Sequence, residues 1–270
     1  MVDKSEKVVW MARLGFVARG IVYALLGYLA LSSAESQTVK QGQSGALEYL
    51  NSIPGGTAIM FLAAVGLLGY GLFRLSSALL DTENHGTEAK GLAARLGHFC
   101  SALLHFGLAW SALQFAIGSK QDAGDRTHAM VSTALSYEFG SLALGIVGIG
   151  LLGAGIYQAK QALTLQFMKR VSSRAPSWTC WLGRFGYAAR GLVFLLIGWS
   201  LLRSAWFEET EEALSLGNAI ADMRDMGAVH TLVALGLLLF GIFSIIVARY
   251  RVIPDLDPSS HMGRAKRTFS

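Results

Sequence analysis

Two arginines lie where a charged side chain could do chemistry inside an apolar segment. Arg19 and Arg190 hold the same place in a repeated block, Arg-x-Gly-aromatic-x-Ala-Arg-Gly, that opens a long apolar run each time. A charge within hydrocarbon is costly and is by default a candidate for function. With Arg13, Arg95 and Arg184 at the starts of the blocks, a pocket for an anion or lipid headgroup is one interpretation, because guanidinium groups bind phosphate bidentately. The alternative is structural, with pairing inside the protein or snorkelling of the side chain to the headgroups.

The block occurs three times, and the middle copy is degenerate. Residues 13–20 return at 184–191, whereas the middle copy at 95–102 replaces the second arginine by Ser101 and the following glycine by Ala102. Each copy opens one apolar run and is followed by a second. The pattern predicts three tandem two-helix units, of which the middle one lacks the inner arginine.

Two histidines offer a second kind of chemistry. His98 and His105 are one heptad apart and therefore share one helical face, and His105 falls near the middle of its span. A haem or a proton relay is conceivable, but a bis-histidine haem needs a second histidine at the same depth. His98 lies at the inner end of its span and His230 at the outer end of another. We therefore predict a packing role for His105 and no cofactor.

Other chemistry is missing from the pattern. The spans contain no acidic residue, and no nucleophile elbow, P-loop, HExxH or paired-carboxylate motif occurs at a membrane boundary. Two cysteines, Cys100 and Cys180, form no CxxC motif, and no metal site is predicted. The acidic run at 208–212 fits a solvated helix face, with weak binding of a divalent cation as the alternative. The sequence thus favours a protein that is not an enzyme.

The composition indicates a membrane protein. Hydrophobic residues make up 53% of the 270 residues and charged residues 15%, against about 25% charged in soluble domains. Charged residues are scarce in six stretches that are long enough to cross a hydrocarbon layer. The predicted spans are Leu14–Ser33, Thr57–Leu80, Leu96–Ile117, Phe139–Ala162, Phe185–Leu202 and Val229–Ala248.

Small residues recur at equivalent positions of the repeats. In the first helices they are Gly20, Ala102 and Gly191, and one heptad later Gly27, Ala109 and Gly198. The second helices align through Gly66, Gly150 and Gly236. Because small residues allow helices in lipid to approach closely, these positions predict a packing seam.

Each outer segment holds a short apolar-periodic stretch, at 46–50, 130–135 and 213–223, for which we predict a short amphipathic helix. Two spans return the chain to the same side, so the three repeats are parallel. We therefore predict an all-α fold of six transmembrane helices. Three parallel repeats favour a ring around a pseudo-threefold axis, and a linear arrangement of the repeats is the alternative.

Charge predicts the orientation. Of the 23 lysines and arginines, 18 lie at the two termini, in the second and fourth loops and in the adjoining ends of the spans, which places both termini in the cytoplasm. The net charge of +5 is explained by topology and by anionic headgroups, not by nucleic acid. We divide the chain into an N-terminal segment (1–9), repeats at 10–82, 92–166 and 181–251, and a basic cytoplasmic tail (252–270).

At the repeated blocks the chain resembles a bacterial family of uncharacterised membrane proteins, defined by a two-helix domain of unknown function present three times. The resemblance implies six spans and an inner-membrane location, and implies no activity. From the residues we expect a scaffold or accessory subunit that binds membrane lipids, partner membrane proteins or further copies of itself. A channel or transporter for small solutes or ions along the repeat axis is the alternative, and a redox subunit using His105 is a third.

Overall fold

The computed structural model describes residues 4–32, 43–52, 54–81, 83, 85–118, 126–210, 213 and 216–252. Within these residues there are nine α-helices and no named strand. The helices are α1 Lys4–Leu31, α2 Gln43–Ser52, α3 Gly56–Leu79, α4 Ala89–Ala116, α5 Arg126–Leu135, α6 Gly140–Thr164, α7 Thr179–Phe207, α8 Leu216–Asp222 and α9 Ala228–Tyr250. The basic tail and two acids of the predicted acidic run, Glu211 and Glu212, lie outside the described residues.

Six helices are long and apolar enough to span a membrane, which confirms the predicted fold class. They are α1, from Ala12 onward, and α3, α4, α6, α7 and α9. Many large apolar side chains stay exposed on the outer surface, such as Leu62, Leu163 and Trp206. Apolar patches of that extent suit a protein surrounded by lipid.

The three short helices predicted in the outer segments are present as α2, α5 and α8. Each turns an apolar face into the bundle, with Leu47 of α2, Val131 of α5 and Ile220 of α8 all buried. These helices therefore close one end of the bundle through side-chain packing.

The spanning helices pack as an open series. Its order is α4, α3, α1, α9, α7 and α6, each packed against the next. A closed pseudo-threefold ring would also pack α4 against α6, the two helices of the middle repeat. Within the described residues that pair has no comparable packing. The ring is therefore open at the middle repeat.

The predicted small-residue seam joins neighbouring repeats. A β-carbon added at Gly20 would lie 2.8 Å from the carbonyl oxygen of Gly241, and one added at Gly191 would lie 3.1 Å from that of Gly155. These are the α1–α9 and α7–α6 contacts. At the third such contact, between α4 and α3, Ala102 of α4 is fully buried. Side chains larger than these would separate the helices, so the seam predicted from the first helices is confirmed. The packing predicted at Gly150 of the second helices is wrong, because a β-carbon there would meet nothing within 4 Å.

A different seam joins the two spanning helices of one repeat. A β-carbon at Gly66 would lie 2.9 Å from that of Ala18, and one at Gly236 would lie 2.5 Å from that of Ala189. Gly150, the equivalent glycine of the middle repeat, would meet nothing within 4 Å. The first and third repeats are thus closed hairpins, and the middle repeat is not.

Candidate functional site

We call one end of the bundle the basic end. It comprises the start of α1, the loop at 80–88, the segment at 165–178 and the end of α9. Arg13, Arg95 and Arg184, the arginines that begin the three blocks, all cap helices here. Arg13 donates to the carbonyl of Arg249 (3.2 Å), Arg95 to those of Ala78 (2.7 Å) and Leu79 (3.0 Å), and Arg184 to those of Ala162 (3.0 Å) and Leu163 (3.4 Å).

Each of these three arginines therefore satisfies carbonyls at the C-terminal end of a helix in a neighbouring repeat. Such carbonyls lack partners within their own helix, and the helix dipole favours a cation there. This contact gives the recurring arginine a structural use. Anion or lipid binding by the three capping arginines stays a prediction.

Arg19 points into the centre of the bundle and is 7% exposed. It donates hydrogen bonds to the hydroxyl of Tyr70 at 2.6 Å and to the hydroxyl of Ser244 at 3.0 Å. Its guanidinium carbon lies 5.0 Å from the ring centroids of Phe16, Tyr70 and Phe240. Of the two interpretations of this residue, the geometry matches pairing within the protein.

Arg190 is less well satisfied. It lies over the rings of Tyr23 (5.2 Å), Phe194 (5.0 Å) and Phe240 (4.5 Å) and is partly exposed. Its Nε atom is buried without a hydrogen-bond partner among the described residues, as is the Nε atom of Arg19. Both central arginines can therefore still donate to an acceptor.

His105 lies beside this centre. Its Nδ1 atom is 2.7 Å from the carbonyl oxygen of Ser101, one turn earlier in α4, and its ring centroid is 4.5 Å from that of Tyr70. These contacts match the packing role predicted for it.

The sequence did not point to Glu83, whose side chain is 2% exposed. Its carboxylate is paired with Arg170 and with Arg251, the latter at 2.5 Å, and lies 3.2 Å from Nε2 of His98. Burial would raise the pKa of Glu83, but the hydrogen bond from His98 and the charges of Arg74, Arg251 and Arg170 outweigh it. The pKa of Glu83 is thus held well below its ordinary value, and the carboxylate is ionised.

Two short backbone features hold this ion pair in place. The carboxylate of Asp81 accepts hydrogen bonds from the backbone N–H groups of His85 (2.7 Å) and Gly86 (2.8 Å), which shapes the loop that carries Glu83. An antiparallel bridge between Val171 and Arg251 ties the segment before α7 to the end of α9. The bridge sets Arg170 and Arg251 side by side, facing Glu83.

Arg74 connects Glu83 to the central arginine. It donates to the hydroxyl of Tyr70 from Nε (2.8 Å) and Nη2 (2.6 Å), and its Nη1 lies 2.7 Å from Nδ1 of His98. Because Tyr70 also accepts from Arg19, one polar network runs from Glu83 through His98, Arg74 and Tyr70 to Arg19. This network spans the basic end and the centre.

The donor atoms of Glu83, His85 and His98 lie within 4.8 Å of one another, close enough to share a metal ion. The surroundings oppose this use. A guanidinium only donates, so Nδ1 of His98 accepts from Arg74, and the proton of neutral His98 occupies Nε2, the atom that would bind the metal. Arg170 and Arg251 already neutralise the carboxylate. The arrangement fits an internal ion pair better than a cation site.

The charge of this region is unbalanced. We call Arg19, Arg74, Arg170, Arg190 and Arg251 the arginine cluster. Within the described residues, Glu83 is the one carboxylate paired with the cluster, through Arg170 and Arg251. Nε of Arg251 is, like those of Arg19 and Arg190, buried without a partner. The cluster therefore carries a surplus of buried positive charge and unused donors, which suits an anion.

Sequence analysis identified Arg19 and Arg190 but missed Glu83, Arg74, Arg170 and Arg251. The partners of Glu83 lie 87 and 168 residues away in the chain, so no local spacing reveals them. One signal was available: an acidic residue in a loop of the basic side, with arginines at the ends of other spans. That signal becomes meaningful only once the helix order is known.

Comparison with known proteins agrees with the repeats. A family model described as Domain of Unknown Function (DUF1206) matches the chain three times, over residues 14–81, 96–164 and 185–251. The chain is also similar to an uncharacterized protein, YxxB, of Bacillus subtilis (strain 168), with 31% identity over 259 residues, which is 92% of this chain and 94% of the relative. No solved structure gives a significant match. Each matched segment covers most of one pair of spanning helices.

Proposed function

The chain belongs to the DUF1206 family, whose description names no activity, and we propose from its own geometry that it is a non-enzymatic membrane protein that binds an anionic ligand. The arginine cluster is the binding site. One observation carries the proposal: the cluster holds five arginines, and Glu83, which pairs with Arg170 and Arg251, is the one carboxylate paired with it among the described residues. We further propose an inner-membrane location with the basic end in the cytoplasm, in keeping with the distribution of lysine and arginine.

The surplus charge calls for a counter-ion. An unpaired charge in a low-dielectric interior is strongly unfavourable unless it gains a partner. Aromatic rings around Arg19 and Arg190 supply part of this stabilisation. The unused Nε donors of both residues can bond an oxyanion as well. A phosphate or carboxylate group has the charge and the acceptor geometry for paired guanidinium donors.

Arg190 is the residue that we assign to first contact with the ligand. It is partly exposed, and its described contacts are with aromatic rings. Arg19 already donates hydrogen bonds to Tyr70 and Ser244. A ligand can therefore bond Arg190 without breaking an existing hydrogen bond.

The test compares wild type with Arg190→Gln by thermal unfolding in a neutral detergent. Inorganic phosphate and a short-chain phosphatidylglycerol are added in turn, with a short-chain phosphatidylcholine as the neutral control. A ligand that binds the folded state raises the melting temperature, so at least one anion should stabilise wild type and lose its effect in Arg190→Gln. Arg174→Gln, at an exposed position of the basic end, is the matched control. Equal anion effects in all three proteins would refute the proposal.

A solute or ion pathway along the repeat axis is the second candidate. The open middle repeat favours it, but side chains of Arg19, Tyr70 and Phe240 fill the centre. Flux into proteoliposomes that changes in Arg19→Ala or Arg190→Ala would support transport over simple binding. Native mass spectrometry of gently extracted protein would show whether lipids, partner proteins or further copies of the chain remain attached, as the scaffold role requires.

A further inference from the structure

We propose that the anionic ligand is a membrane lipid that enters sideways through the space between α4 and α6. This inference rests on the proposed function and adds the class of ligand and its route. We call this space the α4/α6 gap. We assign to it the residues whose equivalents pack or are buried in the other two repeats, namely Gly97, Cys100, Leu104, Gly150 and Tyr157.

The gap replaces a contact that the other repeats make. Leu104 is equivalent to Val22 and Val193, which are 2% and 0% exposed, whereas Leu104 is 66% exposed. On the facing helices Phe73 and Phe243 are 3% and 2% exposed, but the equivalent Tyr157 is 54% exposed. The same sequence positions are thus buried in two closed hairpins and uncovered in the middle one.

The middle repeat has smaller side chains at the positions that fill the helix contact in the other two repeats. Tyr70 and Phe240 fill the seams of the first and third repeats, and a β-carbon at Gly15 or Gly186 would collide with them. The equivalent residue of α6 is Ala154, and a β-carbon at Gly97 of α4 would meet nothing within 4 Å. Ser101 likewise takes the place of an arginine. The repeat that lacks its aromatic and its arginine is the open one.

Arg190 lies beside one wall of this gap. It directly precedes Gly191, where α7 packs on Gly155 of α6, and its guanidinium carbon lies 4.5 Å from the ring centroid of Phe240. The residue is therefore close both to α6, which borders the gap, and to the centre of the bundle. Its partial exposure and its free Nε donor fit an approach from this side.

Charge and polarity identify the occupant. The walls of the gap are mostly glycine and apolar surface, with the hydroxyl of Tyr157 and the thiol of Cys100 as polar groups, and such walls suit an acyl chain better than a hydrated ion. The inner end presents a surplus of arginine, which suits a negative headgroup. A molecule with both parts is an anionic phospholipid. Inorganic phosphate has only the second part and would approach from the basic end.

The experiment narrows the gap without touching an arginine. Val147 faces the gap, because its equivalents Ala63 and Val233 are buried in the closed hairpins. Val65, on the outward face of α3, is similarly exposed at 60%. Val147→Trp should fill the gap, and Val65→Trp is the matched control. Each protein is purified from membranes, and bound phosphatidylglycerol and phosphatidylethanolamine are quantified by mass spectrometry.

We expect wild type and Val65→Trp to retain phosphatidylglycerol preferentially and Val147→Trp to lose that preference. Stabilisation of Val147→Trp by inorganic phosphate should persist, because the arginines are intact. Retention of phosphatidylglycerol by all three proteins would overturn the lateral route while leaving anion binding in place. A loss of dimer in Val147→Trp alone would overturn it in favour of a second copy in the gap. Failure of wild type to respond to any anion would instead refute the proposed function.

A second measurement does not depend on filling the gap. In the closed hairpins the residues equivalent to Cys100 and Gly150 are in contact. A disulfide needs β-carbons about 3.5–4.5 Å apart. With Cys180→Ser removing the other thiol, Gly150→Cys should fail to form a disulfide with Cys100 in lipid bilayers under mild oxidant. Rapid disulfide formation would show a closed hairpin and overturn the inference.

Discussion

The guanidinium of Arg19 donates a hydrogen bond of 2.6 Å to the hydroxyl of Tyr70, and neither of the other repeats can form this pair. The equivalent pairs are Arg190 with Phe240 and Ser101 with Ala154. Around the centre of the bundle, the first repeat thus places an arginine hydrogen-bonded to a tyrosine, and the third repeat places an arginine over a phenylalanine ring. The second repeat places no arginine there. This asymmetry leaves Arg190 without the tyrosine hydroxyl that Arg19 has, and it leaves the middle repeat open.

Removing the hydroxyl of Tyr70 should destabilise the protein. In Tyr70→Phe both Arg19 and Arg74 lose an acceptor, and leaving a buried donor unsatisfied costs about 1–3 kcal/mol. The free energy of unfolding, measured in detergent with a graded denaturant, should fall by about that amount. Tyr23→Phe is the control, because Tyr23 contacts Arg190 and Phe240 through its ring. Equal losses in the two variants would contradict the role of the hydroxyl.

The ion pair of Glu83 should contribute stability with a defined pH dependence. Glu83→Gln leaves Arg170 and Arg251 without their carboxylate, and breaking a buried pair costs about 3–5 kcal/mol. The pKa of Glu83 is depressed in the folded state, so the contribution is fully present above the unfolded value of about 4.3. It is lost as the pH falls from there toward the folded pKa.

The difference in stability between wild type and Glu83→Gln should therefore be constant above about pH 5 and shrink below about pH 4. Thermal unfolding over a pH series measures it. Glu88→Gln makes the same change at an exposed position and should leave stability nearly unchanged. A wild-type advantage that grows on acidification would contradict the ionised, paired state of Glu83.

Arg95 should stabilise the fold as a helix cap, and the anion site proposed at the arginine cluster should not depend on it. Arg95→Ala removes two hydrogen bonds to the end of α3 and should lower the unfolding free energy by about 1 kcal/mol. Stabilisation by added anion should be the same as in wild type. If Arg95→Ala abolished the anion effect while Arg174→Ala did not, the capping arginine would belong to the binding site.

Equivalent glycines of the three repeats should respond differently to alanine. Gly66→Ala brings a β-carbon to 2.9 Å from that of Ala18, and Gly236→Ala brings one to 2.5 Å from that of Ala189. Overpacking of this kind costs about 1–3 kcal/mol. Gly150→Ala meets open space and should be neutral or slightly stabilising, because alanine favours helix. Similar losses in all three variants, measured as unfolding free energies, would mean that the middle hairpin closes.

Local patterns predicted much of the fold. Long apolar runs predicted six spans, since nothing but a helix satisfies the backbone in hydrocarbon at that length. Small residues spaced by one heptad predicted the seam later found at Gly20, Gly191 and Ala102. Apolar periodicity predicted the three short helices. Each of these properties depends on residues within a few turns of one another.

Other features depend on residues far apart in the chain. The sequence reveals that the middle block lacks an arginine at Ser101, but not that α4 and α6 separate there. It shows Glu83 as one more loop acid, although the folded chain buries it against Arg170 and Arg251. Its depressed pKa arises from charges that only the packed bundle assembles.

The sequence by itself determined that the chain is a membrane protein of three parallel hairpins with one degenerate copy, because hydrophobic length, periodicity and repetition are local. Tertiary structure alone decided which hairpins close, where the buried carboxylate lies and which arginine stays available. The physical reason is that closure and burial depend on the fit between surfaces of different helices. Ala154, for example, stands where the other repeats have Tyr70 and Phe240. The loss of that aromatic ring matters only in the folded chain, where the ring would pack on the neighbouring helix.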